Sequence, residues 1–170
     1  LTPGCTVSFG GSMTLEDTGM LTALRHDPGI TLLDRAQAKT PEEAKKIYHD
    51  ALSSDFYFMS TNAITKDGEL VNIDGTGNRV AALIYGPEHV IVMAGMNKVA
   101  ANVDEALSRV HGTATPMNCK RLGKNTPCSA TGVCSDCLSP DCICNQVVIT
   151  RRSGIEGRIK VILIGEELGY

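Results

Sequence analysis

Short apolar runs rich in β-branched or aromatic residues recur along this chain, and patterns with helical spacing fall between them. The runs are Cys5 to Phe9, Ile30 to Leu33, Phe56 to Met59, Val90 to Ala94, Gln146 to Thr150 and Ile159 to Ile164. Each is short enough to be a strand and too short for an isolated helix. Strands separated by helices pair in parallel, because a parallel partner needs a long crossover. The alternation therefore predicts an α/β fold, a largely parallel sheet flanked by helices. Residues 63 to 73 depart from it. There Asp67-Gly68 marks a tight turn between two strand patterns, which predicts an antiparallel hairpin attached to the sheet. In open sheets of this kind, ligands sit outside the carboxyl ends of the strands.

The helix between the second and third strands has the strongest local signals. Thr40 suits the N-cap, Pro41 the first helical position, and Glu43 completes a capping box. Ala44, Ile47, Tyr48, Ala51 and Leu52 then share one face. A first helix is expected from about Thr14 to His26, with Thr14 and Asp17 as a weak box and Gly19 as a flaw inside it. A short helix is expected over Asn78 to Ile84. Another is expected to open at Asn97 or Lys98 and to align Val99, Val103, Ala106, Leu107 and Val110. The two last strands are expected to join through a turn around Gly154 to Gly157.

The 170 residues fit one domain spanning 1–170. A chain near that size buries roughly 68–70% of its unfolded surface, so cysteines are not needed in place of a core. The formal net charge of -3 lacks the basic excess of a nucleic-acid binder. No apolar run approaches the roughly 20 residues of a membrane span, and no signal-peptide pattern opens the chain. A cytoplasmic protein is the expectation. The chain starts at Leu1 without Met and runs almost directly into a strand, so the expected N-terminus is truncated.

Two glycine-rich corners come directly after strands. The first, SFGGSMTLEDTG (Ser8 to Gly19), offers Gly10, Gly11 and Ser12 for close approach to an anion. It does not fit G-x-G-x-x-G, so a nicotinamide cofactor is disfavoured. A ligand-free turn is the competing reading. The second, NIDGTGNRVAALIYGP (Asn72 to Pro87), groups Asp74, Gly75, Gly77, Asn78 and Arg79. Arg79 can clamp a carboxylate or phosphate bidentately, or can simply pair with Asp74 or Glu16. Asn62 and Asn97-Lys98 also come after strands and can face the same crevice. Glu16 and Asp74 are the general acid/base candidates. The four histidines are scattered and read as surface or cap residues.

The segment CSATGVCSDCLSPDCICN, Cys128 to Asn145, holds five of the seven cysteines. In a reducing compartment, clustered thiols point to metal or redox chemistry. A C-x2-C pair suits zinc or an iron–sulfur cluster, although the spacing matches neither a zinc ribbon nor a common ferredoxin run. Disulfide pairing, metal-free thiol redox chemistry and simple packing stand beside the metal reading. Lys120, Arg121, Lys124, Arg151 and Arg152 flank the segment. They offset thiolate charge or are merely solvated.

Taken together, GGSMTLEDTG, STNAIT, DGELVNIDGTGNRVAALIYGP, GMNKV, TPC with CSDC, and GRIKVILIGEELGY resemble the lactate-utilisation (LUD) domain family. The resemblance covers nearly the whole chain. It is to short, single-domain members with a cysteine-rich insertion, here about residues 125–145. Those carry further helical residues at the N-terminus. The resemblance implies a fold similar to ribose-5-phosphate isomerase, glucosamine-6-phosphate deaminase and the CoA transferases. It implies a role near a bacterial system that oxidises lactate to pyruvate with iron–sulfur proteins. On that footing the metal ligands are Cys128, Cys134, Cys137 and Cys144, with Cys142 an extra and Cys5 and Cys119 outside the set. The cofactor implied is an iron–sulfur cluster, with zinc or none as alternatives. The partners implied are a small anionic ligand and iron–sulfur or flavin proteins. Two other functions stay open: an isomerase or CoA-transferase-like enzyme using a glutamate nucleophile, for which Glu16 is the candidate, and a non-catalytic assembly module.

Overall fold

The computed structural model describes all 170 residues. Its central sheet is parallel throughout, with strands β1 (Thr6–Phe9), β2 (Thr31–Leu33), β3 (Phe56–Met59), β6 (His89–Gly95) and β9 (Ile159–Ile164) in the order β2-β1-β3-β6-β9. The α/β expectation holds. Side chains alternate between two faces, as strand geometry requires. Val7, Phe9, Phe58 and Met93 pack on one face with Leu15, Leu21 and Leu24. Tyr57, Met59, Val90 and Val92 pack on the other with Ala51, Ala82 and Leu83. Those partners come from α1 (Met13–Asp17) and α2 (Met20–His26) on the first face, and from α3 (Pro41–Ala51) and α4 (Asn78–Ile84) on the second.

The hairpin is more than an attachment. Strands β4 (Ala63–Thr65) and β5 (Leu70–Asp74) pair antiparallel and sit inside a second sheet. That sheet has the order β7-β4-β5-β8, with β7 at Val99–Ala100 and β8 at Gln146–Thr150. The two closing strands thus belong to different sheets. Ala63, Val71, Ile73 and Ala100 form a third apolar cluster with Ala106 and Val110, beneath α5 (Val103–Arg109) and the π-helical turn that continues it over Val110–Ala114.

Three local expectations change. The first helix breaks at Gly19, which takes φ +72 and caps α2, while Ser12 rather than Thr14 caps α1 through the Leu15 amide. A left-handed residue cannot sit inside an α-helix, and glycine adopts that conformation at no steric cost. The helix expected to open at Asn97 or Lys98 starts at Val103 instead, because Asn102 caps it through the Glu105 amide. Val99 is consequently a strand residue. The third helix is as expected, with Thr40 Oγ1 accepting from the Glu43 amide at 3.2 Å.

Chain order makes one place in the central sheet special. From β1 the chain steps to one side for β2, then returns to the other side of β1 for β3. Connections leaving β1 and β3 therefore diverge and open a crevice at their carboxyl ends. This is the topological switch point where such sheets bind ligands.

Candidate functional site

The crevice at the switch point is lined by the turns at the carboxyl ends of the strands. Gly11 and Ser12 come after β1, Ser60 to Asn62 after β3, and Lys98 lies in the turn after β6. Asn118 and Arg121 enter from α6 (Thr115–Arg121), and Tyr170 from the end of the chain. The cavity holds about 80 Å³. Its lining includes the cations Arg79, Lys98 and Arg121 and no aspartate or glutamate. An adjoining, more open cavity of about 180 Å³ shares Gly11, Arg79 and Arg121, and reaches Arg35, Asp74, Gly75 and Asn78.

Lys98 is the least ordinary of these residues. It is only 3% exposed, and its ammonium nitrogen donates to Ser60 Oγ at 3.0 Å and to the Thr61 carbonyl at 3.3 Å. Ser60 Oγ in turn bonds Thr14 Oγ1 at 3.3 Å. The ion pairs of the molecule join Arg25 to Asp34, Lys46 to Asp50, Arg79 to Asp74 and Lys124 to Asp141, and none involves Lys98. Burial pulls its pKa down to about 7, with the Arg109 and Arg79 charges adding to the effect and Asp17 opposing it. Sequence reading noticed Lys98 only as a polar residue after a strand. Its burial depends on segments far apart in the chain, its bonds reaching Ser60 and Thr61, which no local pattern reveals.

Arg79 holds the corner together. A guanidinium has five N–H donors. Nη1 bonds the Ser60 carbonyl and Asn72 Oδ1, and Nη2 bonds Asn62 Oδ1 and the Ile73 carbonyl. Nε lies 3.3 Å from Asp74 Oδ2. No donor is left to clamp a ligand, so the expected bidentate anion contact gives way to a structural role. Its positive charge still faces the cavity. Gly10 makes room for this side chain: a Cβ there would meet Arg79 Cδ at 3.0 Å.

The acid/base candidates are placed elsewhere. Glu16 is solvent-exposed on α1 and does not line the cavity. Its neighbour Asp17, also exposed, accepts from the Gly169 amide at 2.8 Å. Asp74 is buried and engaged, accepting from the Gly77 amide at 2.9 Å and facing Arg79. Neither carboxylate is free for proton transfer in the cavity. Asn62 does line it, and its Oδ1 also accepts from the Ile73 amide. Gly77 caps α4 at φ +92, a conformation that requires glycine. Asn78 opens that helix on the wider cavity. Gly75 serves a different purpose. A Cβ there would meet Ile143 Cα at 3.2 Å, and its carbonyl accepts from Asn145 Nδ2 at 3.0 Å. This glycine lets the cysteine segment dock on the corner.

The cysteine segment begins with α7 (Pro127–Thr131), capped by Thr126, and then runs without regular structure to β8. Its base is tied by Asp141, which pairs with Lys124 at 3.0 Å and accepts from the Asn125 amide at 2.7 Å. Between Cys134 and Cys137, Asp136 adopts φ +48, a left-handed turn that curls the C-x2-C pair. All the cysteines are free thiols. Cys128 is buried, whereas Cys134, Cys137, Cys142 and Cys144 are half-buried. Burial pushes the Cys144 thiol up to about 11, and Cys142, Cys137 and Cys134 add to the shift. Burial also raises Cys119, with Cys128 and Cys137 contributing and Thr126 opposing. Cys119 thus joins the thiol neighbourhood from α6, although the family resemblance left it outside the ligand set. His111, read as a scattered surface histidine, has Nδ1 3.5 Å from Cys134 Sγ. The donors are of the kind that soft metals prefer. No three His, Cys, Asp or Glu side chains gather closely enough to hold a metal ion, so a closed ligand shell is not built.

No curated protein matches the chain. Solved structures resemble it at low similarity. One is a DUF162 family protein from Deinococcus radiodurans, 12% identical over 95% of this chain and 88% of that one, with a TM-score of 0.40. Another is eIF2B delta from Chaetomium thermophilum, 21% identical over 64% of this chain, with a TM-score of 0.36. This chain spans 49% of that one, about half its length. No helix is long and apolar enough to cross a membrane. The family comparison spans nearly the whole chain, the sequence model of the LUD domain matching residues 1–164. The chain therefore belongs to the LUD domain family.

Proposed function

We propose that this protein is a lactate-utilisation-type component that binds a small carboxylate or phosphate at the switch-point crevice and carries a metal centre on its thiol segment. The observation that carries the reading is the cavity lining, with Lys98, Arg79 and Arg121 present and no acid among them. Such a site attracts an anion, because Lys98 is buried without a carboxylate partner, Arg121 has no ion-pair partner either, and only Arg79 is paired, with Asp74. A water occupies about 30 Å³ in the liquid. The 80 Å³ cavity thus suits a ligand of a few heavy atoms, and a larger group would extend into the open cavity beside it. Cys128, Cys134, Cys137 and Cys144, which do not gather as a ligand shell in the structure, would have to draw together to hold the metal centre, with iron–sulfur favoured over zinc. A bound cation would relieve the mutual repulsion of their thiolates. The CoA-transferase alternative loses its nucleophile, since Glu16 faces solvent.

Two measurements on one anaerobic preparation test this. Thermal unfolding with lactate, pyruvate or phosphate is expected to show saturable stabilisation, and none with any of them would sink the anion site. Iron, sulfide and zinc analysis reports the thiol segment. A metal-free protein with fully titratable thiols would remove the metal centre.

A further inference from the structure

Lys98 has features that anion binding alone does not need. An arginine or an exposed lysine attracts a carboxylate equally well, and keeps its charge at every physiological pH. Here the amine is buried to 97% by residues after β1, β3 and β6, has neutral oxygens as its hydrogen-bond partners, and still lines the cavity. An ammonium held without a carboxylate in such a place loses its proton readily, and a neutral amine is a nucleophile. The charges facing it are Arg79 from α4, Arg109 from α5 and Asp17 from α1, two cations against one acid. The cations repel an ammonium but leave a neutral amine untouched, and they attract an anionic substrate to the same spot.

We propose that Lys98 forms an imine with a small anion that carries a carbonyl group, such as a 2-oxo acid, bound in the crevice. This rests on the anion-binding reading above and adds chemistry to it. The lone pair of neutral Nζ attacks the carbonyl carbon. The C–N bond forms as the C=O π bond breaks, and one proton passes from nitrogen to the former carbonyl oxygen. That oxygen then leaves as water with a second proton, giving C=N and one water per substrate. Ser60 Oγ, 3.0 Å from Nζ and 3.3 Å from Thr14 Oγ1, is placed to relay these protons. The charges of Arg121 and Arg79, both in the cavity lining, attract the carboxylate.

The test is reductive trapping of the full chain. Glyoxylate or pyruvate is added with cyanoborohydride at pH 7, and the adduct is read by intact mass and peptide mapping. A lysine with an ordinary pKa near 10.4 is neutral in only about 0.04% of molecules at pH 7, and one near 7 in about half. Labelling at Lys98 is therefore expected to outpace surface lysines by more than a hundredfold, to stop at one lysine adduct per chain with the α-amine mapped separately, and to vanish in Lys98→Arg. Labelling spread over surface lysines, or no adduct, would overturn the imine. The mapping needs only the wild-type protein, so a variant that fails to fold does not spoil it. Lactate, which has no ketone, separates the two ideas. If lactate and pyruvate both stabilise the protein yet pyruvate leaves no adduct, the imine is wrong and the anion site stands. If neither stabilises it, the anion site fails as well.

Discussion

Replacing Lys98 with methionine removes a charge that the fold struggles to accommodate, and the consequence can be worked out with its pH dependence. The amine titrates near 7 in the folded protein against 10.5 when unperturbed. At ~1.36 kcal/mol per pH unit, that gap is about 5 kcal/mol of folding free energy. Below pH 7 both folded and unfolded chains hold the proton, and the folded state bears the whole cost. Between 7 and 10.5 only the unfolded chain holds it, so stability rises with pH by about 1.4 kcal/mol per unit. Above 10.5 the cost is gone. Methionine fills a similar volume and has no proton to lose. Other groups, including Cys144 with its raised thiol, tilt the curve the opposite way. They do so equally in both proteins and cancel in the difference. Urea unfolding of wild type and Lys98→Met from pH 6.5 to 9 is the assay. Wild-type stability relative to the variant should climb by about 2 kcal/mol or more over that range. A difference that does not change with pH would refute the buried, deprotonating lysine.

Arg79→Ala should cost about 3–5 kcal/mol in the same assay, because it leaves buried Asp74 unpaired and strips the turn carbonyls of their donor; a loss below 1 kcal/mol would return Arg79 to a ligand-binding role. Arg158→Ala should cost about 2–3 kcal/mol, since this buried side chain bonds the carbonyls of Ala82, Leu83 and Pro87 at the end of α4; an unchanged midpoint would contradict that capping. Gly86→Ala should destabilise by more than about 2 kcal/mol, because residue 86 has φ +130 and a Cβ would lie 2.7 Å from the Leu52 carbonyl oxygen; wild-type stability would show that the close approach is misplaced. Cys144, with its thiol near 11, should react with iodoacetamide at pH 8 more than tenfold more slowly in the folded metal-free protein than in the same protein unfolded in urea; equal rates read by mass spectrometry would remove the thiol neighbourhood.

The boundaries of β3, of α4 and of the Thr40-capped helix were legible in the residues, because each is set within a few positions by apolar period, cap and turn chemistry. The glycine corners were legible for the same reason, as places where the backbone turns. Their uses were not. Gly10 admits Arg79 and Gly75 admits the cysteine segment, and both contacts join parts of the chain that local patterns treat separately. Glu16 and Asp17 show how small the margin is. Both are exposed beside a glycine corner, yet one step of about 100° around α1 lets the second reach the chain terminus, where it accepts from the Gly169 amide.

By itself, then, the sequence determined the α/β alternation, the hairpin and the cluster of thiols, all of which are written in spacings of a few residues. Only the tertiary structure decided that the hairpin enters a second sheet, that His111 and Cys119 stand among the thiols, and that Lys98 is buried without a carboxylate. Burial and ion pairing depend on segments tens of residues apart meeting at one strand end. A residue's chemistry in this crevice is set by those neighbours, and sequence spacing does not contain them.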